Sequence, residues 1–257
     1  MGQTDQIGKH IDTLVSYLPE NRQYIEWWVF SQSVGNPDKS RVQILTEYND
    51  KYRSGISVKL LLEECSMDVD SEAEIFKAEL KKSCYESYRK IVPSFFKQIK
   101  SFYGNPKKAS AIEEVLLSLD ARLDADKGLD SDEPEFPTTK MFSLFVLAHH
   151  YLKINDLTKA MEYSQACLKH TPTFVENYMV MAKIHKYSLD LPSASKCNLD
   201  GFKLDLADRY PCNKSTKYLL SENRITEADQ LFKTFMKDEK SNEKNIHDLQ
   251  KVFYELP

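Results

Sequence analysis

Three short strings recur at a constant spacing: Asp156-Leu157-Thr158-Lys159-Ala160, Asp190-Leu191-Pro192-Ser193-Ala194 and Asn223-Arg224-Ile225-Thr226-Glu227-Ala228. Their alanines are Ala160, Ala194 and Ala228, so 194 − 160 = 34 and 228 − 194 = 34. Leu157, Leu191 and Ile225 keep the same step. A 34-residue period with a small residue at this point is the mark of the tetratricopeptide repeat, a stacked pair of antiparallel helices. Stacked repeats make an extended concave surface, which suits binding rather than catalysis.

With Met141 as position 1, Leu144, Leu147, Ala148, Tyr151, Ala160, Cys167 and Pro172 fall at positions 4, 7, 8, 11, 20, 27 and 32. Small residues at 8 and 20 let two helices approach, large ones at 4, 7 and 11 fill the seam, and the proline ends the second helix. The same register from Val175 gives Tyr178, Met181, Ala182, His185 and Ala194, and from Arg209 it gives Cys212, Ser215, Thr216, Leu219, Ala228, Phe232 and Phe235. The expectation is an all-α superhelix, or solenoid, of such repeats and degenerate relatives. Repeats occupy about 141–174, 175–208 and 209–242 within residues 138–257, and 242–254 begins a further helix. His185, at a seam position, is expected in the core. Residues 1–120 read as degenerate hairpins and 121–137 as an exposed acidic loop. The chain starts inside an aromatic helix and ends in Val252-Phe253-Tyr254-Glu255-Leu256-Pro257. Terminal repeats need a polar outer face, so this reads as an internal piece of a longer superhelix.

Upstream, the pattern predicts a helix over 8–31 with a wide apolar face at Trp27, Trp28, Val29 and Phe30, and a turn at Gly35-Asn36-Pro37. A helix over 38–52 stops near Ser54-Gly55, and the short apolar run 56–64 has no assignable type. Ser71-x-x-Glu74 reads as a capping box opening a helix to about Val92. Pro93 restarts a helix through Phe102. Asn105-Pro106 forms a cap and first turn ahead of an apolar-periodic helix over Ala109 to Leu123.

Charge excludes little globally, with a net −4, but it is uneven. Residues 77–108 carry nine Lys/Arg (Lys77, Lys81, Lys82, Arg89, Lys90, Lys97, Lys100, Lys107 and Lys108) against Glu79 and Glu86. Residues 120–135 carry seven acids against Arg122 and Lys127. Both runs read first as solvated helix face and loop. No apolar run reaches the ~18 residues of a membrane span, and the N-terminus lacks the order of a targeting segment. The five cysteines form no CxxC pair, which reads as reduced thiols in a cytoplasmic protein.

Catalytic constellations are not found. The seven glycines never form GxG or a phosphate-cradling GxxxxGK, and there is no zinc-spaced Cys/His set. His149 and His150 are adjacent, so on a helix they point about 100° apart and do not converge on a metal. His149 reads as a groove residue and His150 as a packed or surface one. In this repeat class positions 2, 5, 9 and 12 of each first helix face the concave side. They hold Phe142, Phe145, His149 and Leu152, then Glu176, Met179, Lys183 and Lys186, then Tyr210, Asn213, Lys217 and Leu220. The first hairpin offers an apolar, aromatic patch. The next two offer lysines, with Arg209 and Lys214 close in sequence, and converging cations in a concave wall make an anion site. Ordinary surface lysines are the alternative.

Several segments carry a resemblance to a known family. Glu176 through Lys186, Asp205 through Tyr210, Asn213 through Leu220 and Ile225-Thr226-Glu227-Ala228 are similar to the auxiliary subunit of the N-terminal acetyltransferase A complex. Val92-Pro93-Ser94-Phe95-Phe96, Asn105-Pro106-Lys107-Lys108, Ile112-Glu113-Glu114 and Pro134–Thr139 resemble the same family in the same order. Non-repeat segments share the likeness, which covers most of 20–257.

The resemblance implies a long all-helical superhelix that wraps and activates a small catalytic acetyltransferase and anchors it, in its full length, at the ribosome in the cytoplasm. It implies no active site and no required cofactor here; hydropathy and net charge give the expectation of no membrane partner and no sequence-specific nucleic-acid binding. It also implies an inositol hexakisphosphate pocket where the subunits meet. Arg209 and Lys217 match family positions near that pocket; Lys183, Lys186 and Lys214 join them from groove geometry. Ser221 and Thr226 are neutral where the family often has lysines. Phe142, Phe145, His149, Met179, Tyr210 and Asn213 are the expected partner-binding groove. The alternatives are a ribosome- or RNA-surface binder working through 77–108, and a generic repeat adaptor for peptides.

Overall fold

The structure is a computed structural model, and it describes residues 2–234. The further helix expected over 242–254, Phe235 and the apolar end at 252–257 lie outside the described residues. Among the described residues there are thirteen α-helices and no strand, so the all-α class read from the sequence holds. The chain divides into two compact units, residues 1–118 and 119–257, and the division falls inside one helix, α7.

The first unit holds α1 (Gly2–Tyr17), α2 (Arg22–Gly35), α3 (Arg41–Tyr52), α4 (Gly55–Glu64), α5 (Asp70–Arg89), α6 (Phe95–Ile99) and most of α7 (Pro106–Asp124), with a 3-10 turn over Lys100–Gly104. Three local expectations need correction, and one untyped stretch gains a type. The single helix over 8–31 is two helices. Pro19 removes a backbone donor, and the Asn21 side chain accepts from the amides of Gln23 and Tyr24 to open α2. Trp28 and Val29 are buried there while Trp27 and Phe30 are exposed. The helix expected from 38 starts at Arg41, behind a reciprocal capping box of Ser40 and Gln43. The untyped run 56–64 is α4, opened by a second box of Ser54 and Ser57. Ser71 caps nothing. Helix α5 starts behind Val69 with no side-chain cap, and Glu72 instead accepts from the Ser66 amide at 2.7 Å. Asn105 does cap α7, accepting from the amides of Lys107 and Lys108.

This unit packs around aromatic rings. Trp28 meets Tyr48 edge-on at 5.2 Å, and Phe76 meets Phe102 in the same way at 5.7 Å. Such pairs are worth about 0.5–1.5 kcal/mol beyond their burial. Lys108 is inside this layer. Its ammonium donates to the carbonyls of Leu62 and Glu63 at 2.7 and 2.9 Å, satisfying orphan acceptors at the end of α4. The rings of Phe76 and Phe102 flank it at 5.5 and 5.8 Å. Arg53 ties α5 to the α3–α4 corner by reaching Glu79 at 2.7 Å and Glu86 at 3.0 Å.

The second unit stacks three hairpins: α8 (Pro137–Lys153) with α9 (Leu157–His170), α10 (Val175–Tyr187) with α11 (Leu191–Leu204), and α12 (Arg209–Ser221) with α13 (Ile225–Lys233). Ala160, Ala194 and Ala228 are fully buried. At the α10–α11 seam a Cβ on Gly201 would lie 2.8 Å from the Cβ of Tyr178, so only glycine allows this approach. Each hairpin turns through one left-handed residue: Asn155 (φ 66°), Leu189 (φ 63°) and Asn223 (φ 60°). These positions also step by 34, since 189 − 155 = 34 and 223 − 189 = 34. The next residue donates to the carbonyl five places back, as in Asp156 to Tyr151, Asp190 to His185 and Arg224 to Leu219, which closes a Schellman motif. Asp156 and Asp190 then cap the second helices. Between hairpins, the buried Ser164 and Asn177 link α9 to α10: the hydroxyl donates to the amide oxygen at 3.0 Å, and the amide donates to the Ser164 carbonyl at 2.8 Å.

The segment between α7 and α8 is not uniformly exposed. Leu129 is buried. Arg122 holds the loop by donating to the carbonyls of Gly128 and Ser131 at 2.9 and 2.7 Å. Lys140 of α8 then pairs with Asp120 and Asp124 at 2.8 and 2.7 Å.

Two measurements test this account. Leucine is costly in the left-handed region, whereas asparagine is tolerated. Leu189 is 90% exposed, so Leu189→Asn is expected to stabilise the chain by about 1 kcal/mol in urea denaturation. Burial works to raise the pKa of Glu79, but hydrogen bonds and charge from Lys82 and Arg53 outweigh it and hold the carboxyl below 4.5. A depressed folded value means stability that is present above the unfolded pKa and lost as pH falls through the folded one. Glu79→Gln is therefore expected to flatten the loss of stability as pH falls below about 4.5, as followed by denaturation at stepped pH.

Candidate functional site

The candidate surface lies in the second unit, on α10 and α12, the first helices of successive hairpins. Lys183 and Lys186 are three apart on α10, and Lys214 and Lys217 are three apart on α12, so each pair shares a helix face. The two faces meet. The Lys186 ammonium lies 5.9 Å from the ring centre of Tyr218, the neighbour of Lys217. Lys214 lies 5.3 Å from the Tyr210 ring one turn below it. Cations over aromatic faces gain about 0.5–1 kcal/mol at exposed sites, which biases these ammoniums toward the rings. Lys186, Arg209 and Lys217 are exposed, while Lys183 and Lys214 are half-buried. Burial first, then the nearby Tyr187 and Tyr210, raise the pKa of the Tyr218 phenol, so it stays a neutral hydrogen-bonding group. Of the five expected cations, Lys183 and Lys186 thus lie on α10 and Arg209, Lys214 and Lys217 on α12, and Lys186 reaches a ring of the other helix.

The expected partner groove divides. Tyr210 is 52% exposed, and His149, Met179 and Asn213 are half-buried. Phe142 and Phe145, however, are buried by the chain itself, at 0% and 2% exposure. The apolar patch assigned to the first hairpin is therefore core. Phe145 packs edge-on against Phe174 at 5.0 Å and against His149 at 4.7 Å. Phe174, from the turn before α10, is the lid that repeat position alone does not reveal. His185 is also corrected: it is half-buried rather than in the core, with Nδ1 3.5 Å from Asp190. His150 is fully buried, its ring edge-on to Tyr151 at 4.9 Å.

Sequence reasoning missed the aromatic partners of the lysines. Tyr187, 63% exposed, and Tyr218 sit one residue beyond Lys186 and Lys217. That adjacency was the available signal, but only tertiary packing brings Lys186 over Tyr218.

The chemistry open to this surface is binding of anions and of protein. Burial pushes the thiols of Cys65 and Cys197 up to about 11 and that of Cys167 to about 12, and it also raises Cys84 and Cys212. None of these is a thiolate nucleophile at neutral pH. No group of three His, Cys, Asp or Glu among the described residues is arranged to hold a metal ion. No helix there is long and apolar enough to cross a membrane.

The chain has known counterparts. It is similar, with a TM-score of 0.78 and 25% identity, to a chain in the solved structure of Naa15/Naa10 bound to HypK-THB, over 93% of this chain and 35% of that one. In sequence it is 27% identical over 258 residues to the human N-alpha-acetyltransferase 16, NatA auxiliary subunit, covering 99% of this chain. It is 27% identical over 266 residues to the N-terminal acetyltransferase A complex auxiliary subunit NAA15 of Arabidopsis thaliana, covering all of this chain. The chain spans 29% of the length of each of these two relatives. The family model for the N-terminal acetyltransferase A auxiliary subunit matches residues 1–257, and the chain therefore belongs to the family of N-terminal acetyltransferase A auxiliary subunits.

Proposed function

We propose that this chain is part of a non-catalytic scaffold. It holds a separate acetyltransferase subunit in place, and with the rest of its protein it docks that subunit at the ribosome in the cytoplasm to acetylate nascent N-termini. The observation that carries this reading is the family match over all 257 residues. Two further features support it: a hairpin stack that exposes Tyr210 and half-exposes Met179 and Asn213 on successive helices, and thiols too basic to act as nucleophiles. The contact to the catalytic subunit uses His149, Met179, Tyr210 and Asn213, without the buried Phe142 and Phe145. In co-purification of the full-length protein with its catalytic subunit, Met179→Asp combined with Tyr210→Asp is expected to lower recovery at least tenfold, a loss of about 1.4 kcal/mol. Unchanged recovery would remove these residues from the interface.

The same wall takes a polyanion, inositol hexakisphosphate, through Lys183, Lys186, Arg209, Lys214 and Lys217. Placement of Lys186 against Tyr218, beside Lys217, supports this. Lys186→Glu or Lys217→Glu is expected to weaken calorimetric binding of inositol hexakisphosphate by about 1–3 kcal/mol each, the scale of a charge-assisted contact. Equal affinity would withdraw the site.

An RNA-binding role for 77–108 is less favoured. Lys77 pairs with Glu114 at 2.8 Å, Lys82 with Glu79 and Lys107 with Asp68, and Lys108 is buried. Four of the nine cations are thus paired with acids or buried.

A further inference from the structure

The acidic loop between α7 and α8 has no part in the scaffold reading. In its run Asp130-Ser131-Asp132-Glu133-Pro134-Glu135, one hydroxyl stands among carboxylates. Ser131 is exposed and lies outside any helix, and Asp130, Asp132, Glu133 and Pro134 around it are exposed too. Its backbone is nevertheless fixed. Arg122, in the last turn of α7, donates Nη2 to the Ser131 carbonyl at 2.7 Å and Nε to the Gly128 carbonyl at 2.9 Å. The Ser131 hydroxyl faces the same turn, since a Cβ on Gly128 would lie 2.8 Å from its Oγ. A guanidinium and an exposed hydroxyl are therefore held on one short turn. Lys127, the other cation of the stretch, lies 4.0 Å from Asp132.

This arrangement fits a phosphate acceptor. A serine in an exposed loop can enter an enzyme's groove without unfolding a helix. Four carboxylates within four residues of it suit a groove lined by lysine and arginine and are repelled by an acidic one. A phosphate on Oγ adds about −1.5 to −2 charge at pH 7, beside an arginine whose planar fork matches phosphate geometry. Ser71 is also flanked by acids, Asp70 and Glu72, but it lies in the first turn of α5, which would have to unwind first.

We propose that Ser131 is the substrate of an acid-directed serine kinase and that Arg122 holds the phosphate it receives. In the transfer, Ser131 Oγ attacks the terminal phosphorus of ATP. The Oγ–P bond forms, the P–O bond to ADP breaks, and the hydroxyl proton passes to the kinase's catalytic carboxylate. The inference concerns residues 122–135 and goes beyond the scaffold reading.

Mass spectrometry of the full chain tests it, after incubation with ATP and either casein kinase II, which prefers acid-flanked serines, or protein kinase A, which prefers basic flanks. Casein kinase II is expected to phosphorylate Ser131, Ser131→Ala to lose that phosphate, and protein kinase A to leave Ser131 unmodified. Phosphate on Ser71 in place of Ser131, or none at all, overturns the assignment. Hydrogen exchange then reads the role of Arg122. Phosphorylation is expected to slow amide exchange over 128–131 by roughly threefold or more in the parent chain, and not in Arg122→Gln. Equal slowing in Arg122→Gln, or none in either chain, removes Arg122 from the phosphate. Recovery of the catalytic subunit by Ser131→Ala is expected to stay normal, so failure here and failure of the scaffold reading are separately visible.

Discussion

The close approach of two helices at a residue with almost no side chain is the constraint on which the second unit rests. Ala160, Ala194 and Ala228 are fully buried, and Gly201 leaves no room for even one added carbon against Tyr178. Interiors are packed to near-crystalline density, so a seam set this tightly also sets everything built on it. The hairpin turns inherit the 34-residue step, and so do the left-handed residues that make them. The spacing of first helices follows from the same seam, and it is this spacing that brings Lys186 of one hairpin over Tyr218 of the next.

Electrostatics follow the packing rather than lead it. The basic run at 77–108 looks, as a string, like a surface for polyanions. In the fold its members have separate duties: Lys108 closes the end of α4 from inside the core, and Lys77, Lys82 and Lys107 face acids. Exposed pairs of this kind contribute roughly 0–1 kcal/mol each, so their weight lies in cancelling charge locally. The cations of α10 and α12 are arranged differently, with Lys186 and Lys214 set over aromatic rings.

How far the sequence speaks depends on the range of the interaction that decides each feature. The 34-residue repeat is a property of spacing, and it was legible. The cap at Asn105 was legible because a cap needs only three or four neighbours. The break at Pro19 was equally local, yet the wide aromatic face of Trp27–Phe30 masked it. Ser71 failed for the converse reason: the motif was present, but Glu72 was already turned back to the Ser66 amide. Phe142 and Phe145 needed knowledge of Phe174, a residue from the next turn, and position within a repeat does not contain it.

The turn at Leu189 shows how such a stack comes apart. Hairpins that touch only their neighbours behave as links in a chain, each held by its own seam and by one interface on either side. The first and third turns use asparagine; the second forces an exposed leucine into a conformation it resists. The middle link is thus closed at a disadvantage, and a link that opens in the middle frees both of its interfaces at once.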